Sequence, residues 1–320
     1  MNSRNTSVTN LGRTAQWCKL ALLGAAFAIS SVATAQVSSY AFAQTSGTYT
    51  AITGGTVLAT ATANSGAASI DDVIFAVNFA APSFTFNGTA YTTCNVSSNG
   101  FITFGATAPT TTTYTPISGT VAYSGAIAPW GGDINGMFNV GGITSELRWE
   151  VTGVSPNREV VFQWKDFRTA FSTSTTLAYR VNFQIRLKEN GNVAQVVYGP
   201  NAFAIGSTSS AGTRQIGLRG ATNAESNNRN NASTTLFTAS AAGTLNTSTQ
   251  AYNTVTSPPF MPSSGQTYSW TPPVPCSSQP AAGSVPSTAT QCNPATAGTA
   301  IAATGSSTGV TGLTFQWEES

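Results

Sequence analysis

The sequence predicts an all-β protein: a large antiparallel β-sandwich of jelly-roll-like build, followed by the start of a second, smaller β-sandwich. Three observations predict it. Only 8% of the 320 residues are charged, against 30 glycines and 15 prolines, which leaves few charges for solvent-facing helices and supplies many turns. Apolar and polar residues alternate in short runs, and between 70 and 270 no stretch keeps a helical period over a useful length. Apolar residues make up 41% of the chain, enough for one core of roughly 200–250 residues.

At the N-terminus Arg4, Arg13 and Lys19 precede the apolar run from Leu20 to Ile29, and Ala33-Thr34-Ala35 follows. Charge, then apolar run, then small residues is the order of a secretory signal peptide, so residues 1–35 are expected to be removed and the mature chain to begin at Gln36. The uncharged run, about 16 residues, is shorter than the roughly 20 that span a bilayer. No other stretch reads as transmembrane. Removing three of the thirteen Lys/Arg and none of the eleven Asp/Glu takes the net charge from +2 to −1. A mature chain without a basic surplus or cluster cannot neutralise a phosphate backbone, which excludes nucleic acid as a partner.

Residues 36–69 are a Ser/Thr/Gly/Ala-rich lead, and strand-like runs fill 70–270. In CNVSSNGFITFG, residues 94–105, Asn99-Gly100 reads as a tight turn launching Phe101–Phe104 as a strand with aromatics on both sides. Leu147, Trp149 and Val151 alternate with Glu146, Arg148 and Glu150; Val160, Phe162 and Trp164 alternate with Glu159, Val161, Gln163 and Lys165. The clearest strand is 179–188, apolar at every odd position and polar at every even one, so one face is expected to be wet. Asn190-Gly191 suits a type I′ turn returning 193–198 antiparallel to it. Proline-rich joints at 257–262 and 270–276 end the large domain near residue 273.

Beyond that joint lie Cys276, Cys292 and the strand-like Leu313–Trp317. A tryptophan on a strand about 25 residues after a cysteine is similar to the B-strand cysteine and C-strand tryptophan of an immunoglobulin-like sandwich. Residues 274–320 are too few for the usual ~100-residue sandwich, so they are expected to be an incomplete repeat, with the chain continuing in a longer protein. A tail carrying a local Cys276–Cys292 disulfide is the alternative. With Cys18 in the leader, the mature chain keeps three cysteines, and the partner of Cys94 stays open.

The order Phe84–Tyr91, Val96–Gly105, Ile127–Asn135, Val181–Leu187 and Val197-Tyr198 resembles that of nidogen-like extracellular domains, over about residues 75–200. Asn135 stands where that pattern usually carries an acidic residue. Together with Gly217–Asn223, Thr267–Pro273 and the Cys276…Cys292…Trp317 opening, the chain resembles secreted or cell-surface proteins of Bacteroidota-type bacteria. In those, a β-sandwich precedes immunoglobulin-like or fibronectin type III-like repeats, and export uses the type IX secretion system. The resemblance implies secretion or surface display, and adhesion rather than a reaction.

The chain has no histidine, which removes Ser-His-Asp and Cys-His nucleophilic arrangements and the usual catalytic zinc sites. Glu146 and Glu150 share a strand face, but four residues place them about 13–14 Å apart, beyond either glycosidase geometry. Asp133 and Asn135, set among Gly131, Gly132 and Gly136, are the candidate calcium ligands, two oxygens where calcium takes more; Asp71 and Asp72 could supplement them. Among the tryptophans, Trp149 and Trp164 read as core, and Trp130, in a Pro/Gly context, is the candidate for an exposed sugar-stacking face. The expected function is a non-catalytic region, secreted or on the outer cell surface, with an adhesive, structural or ligand-binding role toward a cell-surface, matrix or glycan ligand. The alternative is a carbohydrate-binding module of a hydrolase whose catalytic domain lies beyond residue 320.

Overall fold

The computed structural model describes residues 36–169, 171–175, 179–203, 211–232, 236–254 and 260–273. The chain divides into two units, Met1–Pro273 and Val274–Ser320. The expected signal peptide, the immunoglobulin-like repeat and Cys276 and Cys292 lie outside the described residues.

In chain order the strands are β1 (Ala41–Ser46), β2 (Thr56–Thr60), β3 (Ile74–Asn78), β4 (Phe84–Phe86), β5 (Thr89–Tyr91), β6 (Thr93–Ser97), β7 (Phe101–Phe104), β8 (Gly125–Gly131) and β9 (Glu146–Thr152). They continue with β10 (Glu159–Phe167), β11 (Tyr179–Lys188), β12 (Ala194–Tyr198), β13 (Ala202–Phe203), β14 (Ala211–Arg219), β15 (Ser226–Asn230), β16 (Ala241–Ala242), β17 (Gln250–Asn253) and β18 (Gln266–Thr271). Among the described residues the helical elements are three short 3-10 turns. The first sheet runs β1-β18-β12-β11-β10-β9-β2, with β13 on β11; the second runs β16-β15-β14-β8-β7-β6-β3, with β17 on β14. All these pairings are antiparallel, as the all-β reading of the sequence requires.

The two sheets close on one core. Val160, Phe162 and Trp164 of β10, and Val181, Phe183, Ile185 and Leu187 of β11, share a cluster with Val96, Ile102, Phe104, Ile127 and Leu218 of the opposite sheet. Each such side chain contributes roughly 1.5–3 kcal/mol on leaving water. Three aromatic side chains also tie sheet to sheet through polar tips: Trp164 Nε1 donates to Ser97 O at 3.1 Å, Tyr198 Oη to Pro129 O at 2.9 Å, and Trp270 Nε1 to Asn227 Oδ1 at 3.1 Å. Most buried indoles and phenols find such a partner, and these three fix the register of one sheet over the other.

The turn at Asn99-Gly100 forms as the sequence predicts. Gly100 has φ +76°, and a Cβ there would sit 2.5 Å from Trp130 O, so only glycine fits. Phe104 enters the main core, whereas Phe101 packs on the other face with Ile117 and Ala128. The β11–β12 hairpin also forms, but its loop is a 3-10 turn over Asn190–Asn192 with positive φ at Gly191 and Asn192, not a two-residue type I′ turn.

The expected wet face of β11 is dry at its centre. Gln184 and its cross-strand neighbour Gln163 are both buried. The cause is topological: β1 pairs at one edge of the first sheet and β2 at the other, so residues 47–55 must cross its outer face. Six interstrand steps of about 4.8 Å need about 29 Å, and ten residue steps at about 3.3 Å give about 33 Å, so the strap is drawn nearly straight. It is held by the glutamines it covers. Gln163 Oε1 accepts from Ile52 N at 2.9 Å, Tyr49 Oη at 3.2 Å and Gln184 Nε2 at 2.7 Å, while Gln163 Nε2 donates to Ile52 O at 3.2 Å. Gln184 Nε2 donates to Thr50 O at 2.9 Å, and Arg186 Nη2 to the same oxygen at 3.1 Å.

Cys94 is buried against the core on β6, and burial pushes its thiol well above the ordinary range. A thiol held neutral and out of water is a packing group, not a nucleophile.

Candidate ligand-binding cleft

At one end of the second sheet β8 and β14 part after the pair Gly131–Gln215, and loops from three parts of the chain meet around a cleft of about 400 Å³. Tyr114, Thr115 and Ser118 line it from the β7–β8 loop, Asp133 from the segment after β8, Thr213 and Arg214 from β14, and Thr247 and Thr249 from the segment before β17. Its floor requires glycine. A Cβ on Gly131 would lie 2.6 Å from Pro116 Cγ, and one on Gly132 would lie 2.7 Å from Arg214 Nη1.

The Ser-Ser-Asn-Gly turn reaches this cleft indirectly. Asn99, fully buried, donates from Nδ2 to Asp72 Oδ1 and to Thr111 O, both at 2.9 Å. Asp72 Oδ2 accepts from Tyr114 Oη, also at 2.9 Å. Thus the turn positions Asp72, and Asp72 positions the aromatic ring on the cleft wall. Gln215 holds the same loop from the other side: its Oε1 accepts from Ile117 N at 2.7 Å and its Nε2 donates to Ser118 Oγ at 2.7 Å.

Arg214 is only 8% exposed. Its guanidinium donates to Thr213 O at 3.1 Å, Asp133 O at 3.2 Å, Tyr252 Oη at 3.3 Å and Thr169 O, and lies 4.9 Å from the Tyr252 ring centroid. Burial lowers its pKa and the nearby Tyr252 and Asp133 oppose that, so the group stays a cation. Asp133 moves the other way: burial raises its pKa, Asp72 adds to the rise and Arg214 works against it.

Asp71 and Asp72, distant in sequence from Asp133, come close enough to act on it. Burial first, then the charges of Asp72 and Asp133, push the Asp71 carboxyl up to about 6. One Asp71 oxygen is buried without a hydrogen bond. An acid whose pKa is raised by folding stabilises the fold while protonated, so this contribution is present below about pH 4 and is lost as pH rises through about 6. Asp71→Asn should therefore raise the unfolding free energy measured in urea at pH 7.5 by on the order of 1 kcal/mol, after allowance for solvent screening, and leave it unchanged at pH 4. An equal change at both pH values would sink the electrostatic account.

The residues singled out from sequence fare differently. Trp130 is not exposed: it is 0% accessible, with its ring centroid 5.3 Å from Tyr252, 5.6 Å from Phe237 and 6.3 Å from Tyr198. Its Pro/Gly surroundings belong to a strand whose seven residues are all buried, not to a surface loop, so it cannot stack on a sugar. Asp133 does line the cleft, but Asn135 does not join it. The Asn135 amide is fully buried and donates to Ser69 Oγ at 3.3 Å and Ser172 O at 3.0 Å. Among the described residues no group of three His, Cys, Asp or Glu side chains is placed to hold a metal ion. Tyr114, Thr213, Arg214, Thr247 and Thr249 carried no sequence signal, since they come from one strand and two loops far apart in the chain and match no spacing.

Residues 39–272 match the model of a family described as NIDO related. No curated protein and no solved structure matches the chain.

Proposed function

Because the chain belongs to the NIDO-related family, whose domain is of an extracellular type with a structural or binding role, we propose that it is a non-catalytic adhesive module, secreted or displayed on the cell surface. The observation that carries the reading is the cleft itself. It is a concave, preformed surface where loops meet at the end of a rigid sandwich, mostly apolar in area with Asp133 and several hydroxyls set into it, the usual arrangement for recognition. The lack of histidine in the whole chain and the burial of Cys94 support a binding role over a reaction. The expected charge order at the N-terminus supports export, and among the described residues no helix is long and apolar enough to cross a membrane. The alternative of a module serving a downstream hydrolase loses its stacking platform with the burial of Trp130.

The test is direct. Beads coated with the full chain should be retained on whole cells, on immobilised matrix proteins or on a layer of the same chain, above beads coated with an inert protein. Retention on none of the three surfaces would overturn the adhesive role.

A further inference from the structure

Resting on that binding role, we infer that the cleft between β8 and β14 takes a neutral polyhydroxylated ligand, a mono- or oligosaccharide recognised through Asp133. Its volume of about 400 Å³ falls within the roughly 300–1,000 Å³ of small-molecule sites. The polar groups left unused in it define what can enter. Among the described residues the Asp133 carboxylate accepts no hydrogen bond, and the hydroxyls of Thr115, Thr213, Thr247 and Thr249 make none. A carboxylate only accepts, so the ligand must donate; a hydroxyl does either, so the ligand must also accept.

Charge narrows the class. An anionic ligand meets Asp133 with Asp72 behind it, and a cationic one meets the Arg214 guanidinium, so neither sign is favoured. Neutral groups that both donate and accept, repeated along a compact frame, are sugar hydroxyls. Tyr114 supplies the apolar surface that the C–H face of a sugar ring can cover, and its bond to Asp72 holds the ring in place without ligand. Arg214, already bonded to four oxygens, acts as a positioning residue, fixing the backbone of Asp133 from below.

The experiment uses the full chain on an array of neutral and acidic oligosaccharides, with retained glycans then titrated calorimetrically. Neutral glycans should be retained and sialylated or sulfated ones not. Asp133→Asn should weaken the best neutral glycan about tenfold or more, the loss of a charged acceptor. Thr249→Val should weaken it about threefold to tenfold. Thr249→Val should keep the thermal midpoint of the parent, since its hydroxyl bonds to nothing within the fold, and Asp133→Asn, which takes a like charge away from Asp71 and Asp72, should not lower it. An array without neutral hits, retention of acidic glycans alone, or unchanged affinity in both variants overturns the assignment. If the array is blank while coated beads still adhere, the ligand class falls and the adhesive role stands; if both fail, both fall.

Discussion

Trp130→Ala should cost about 3–5 kcal/mol of folding free energy, seen as a lower midpoint in urea with an unchanged slope. The indole is fully buried between Tyr198, Phe237 and Tyr252, where two sheets and the segment before β16 meet. Truncation to a methyl group leaves a cavity that ring-shaped neighbours cannot collapse into. Trp130→Phe should recover most of the loss. The indole nitrogen has no hydrogen-bond partner, so its removal leaves nothing newly unsatisfied and even relieves a buried donor. The pair of variants separates two roles for the residue. A surface stacking residue would tolerate alanine within about 0.5 kcal/mol and lose ligand; a core residue loses stability whether or not ligand is present. A midpoint for Trp130→Ala within that margin would return Trp130 to the surface.

How far the fold was legible follows from which signals are local. The strand 179–188 could be read to the residue, because alternation over ten positions is a backbone period written directly in side chains. Asn99-Gly100 was legible for a similar reason, since glycine with positive φ at a strand entry leaves few alternatives. What the sequence misassigned was the environment of each face. Trp130 follows Pro129 and precedes two glycines, a composition that reads as loop, yet those glycines are small because a proline ring and a guanidinium press on the strand. Gln163 and Gln184 alternate correctly, but alternation says only that a face is polar. Whether water or another segment covers it depends on where β1 and β2 pair, a long-range fact.

The cleft was the least legible part. Asp133 and Asp71-Asp72 were each noted, and only the packing of the β7–β8 loop and Asn99 shows them to be electrostatic neighbours. Asn135, two residues from Asp133, bonds to Ser69 and Ser172 instead, because successive odd positions after the end of β8 no longer share a face once the strand has ended. Proximity in sequence was therefore a poor guide to shared chemistry here, and the threonines of the cleft, drawn from 115, 213, 247 and 249, carry no pattern at all.

The covered face of the first sheet yields the second large effect. Gln163→Leu keeps roughly the same volume and removes both polar atoms that bond the centre of the strap, leaving the N–H and C=O of Ile52 without partners in a buried setting. At about 1–3 kcal/mol for each of the two unsatisfied groups, the expected cost is about 2–6 kcal/mol. On a solvated strand face the same change would cost nothing beyond about 0.5 kcal/mol, so the size of the effect decides between a wet face and a strapped one. Hydrogen exchange locates the loss: the Ile52 amide should lose protection, while the amides of Phe162 and Ile185, whose side chains face the core on the β10–β11 pair, keep theirs relative to the new global stability. The strap has almost no spare length, so releasing its centre should also loosen both ends, lowering protection in β1 and β2 before β11. Ile52 protection that survives in Gln163→Leu would mean that the span between the two sheet edges, rather than the glutamine pair, holds the segment down.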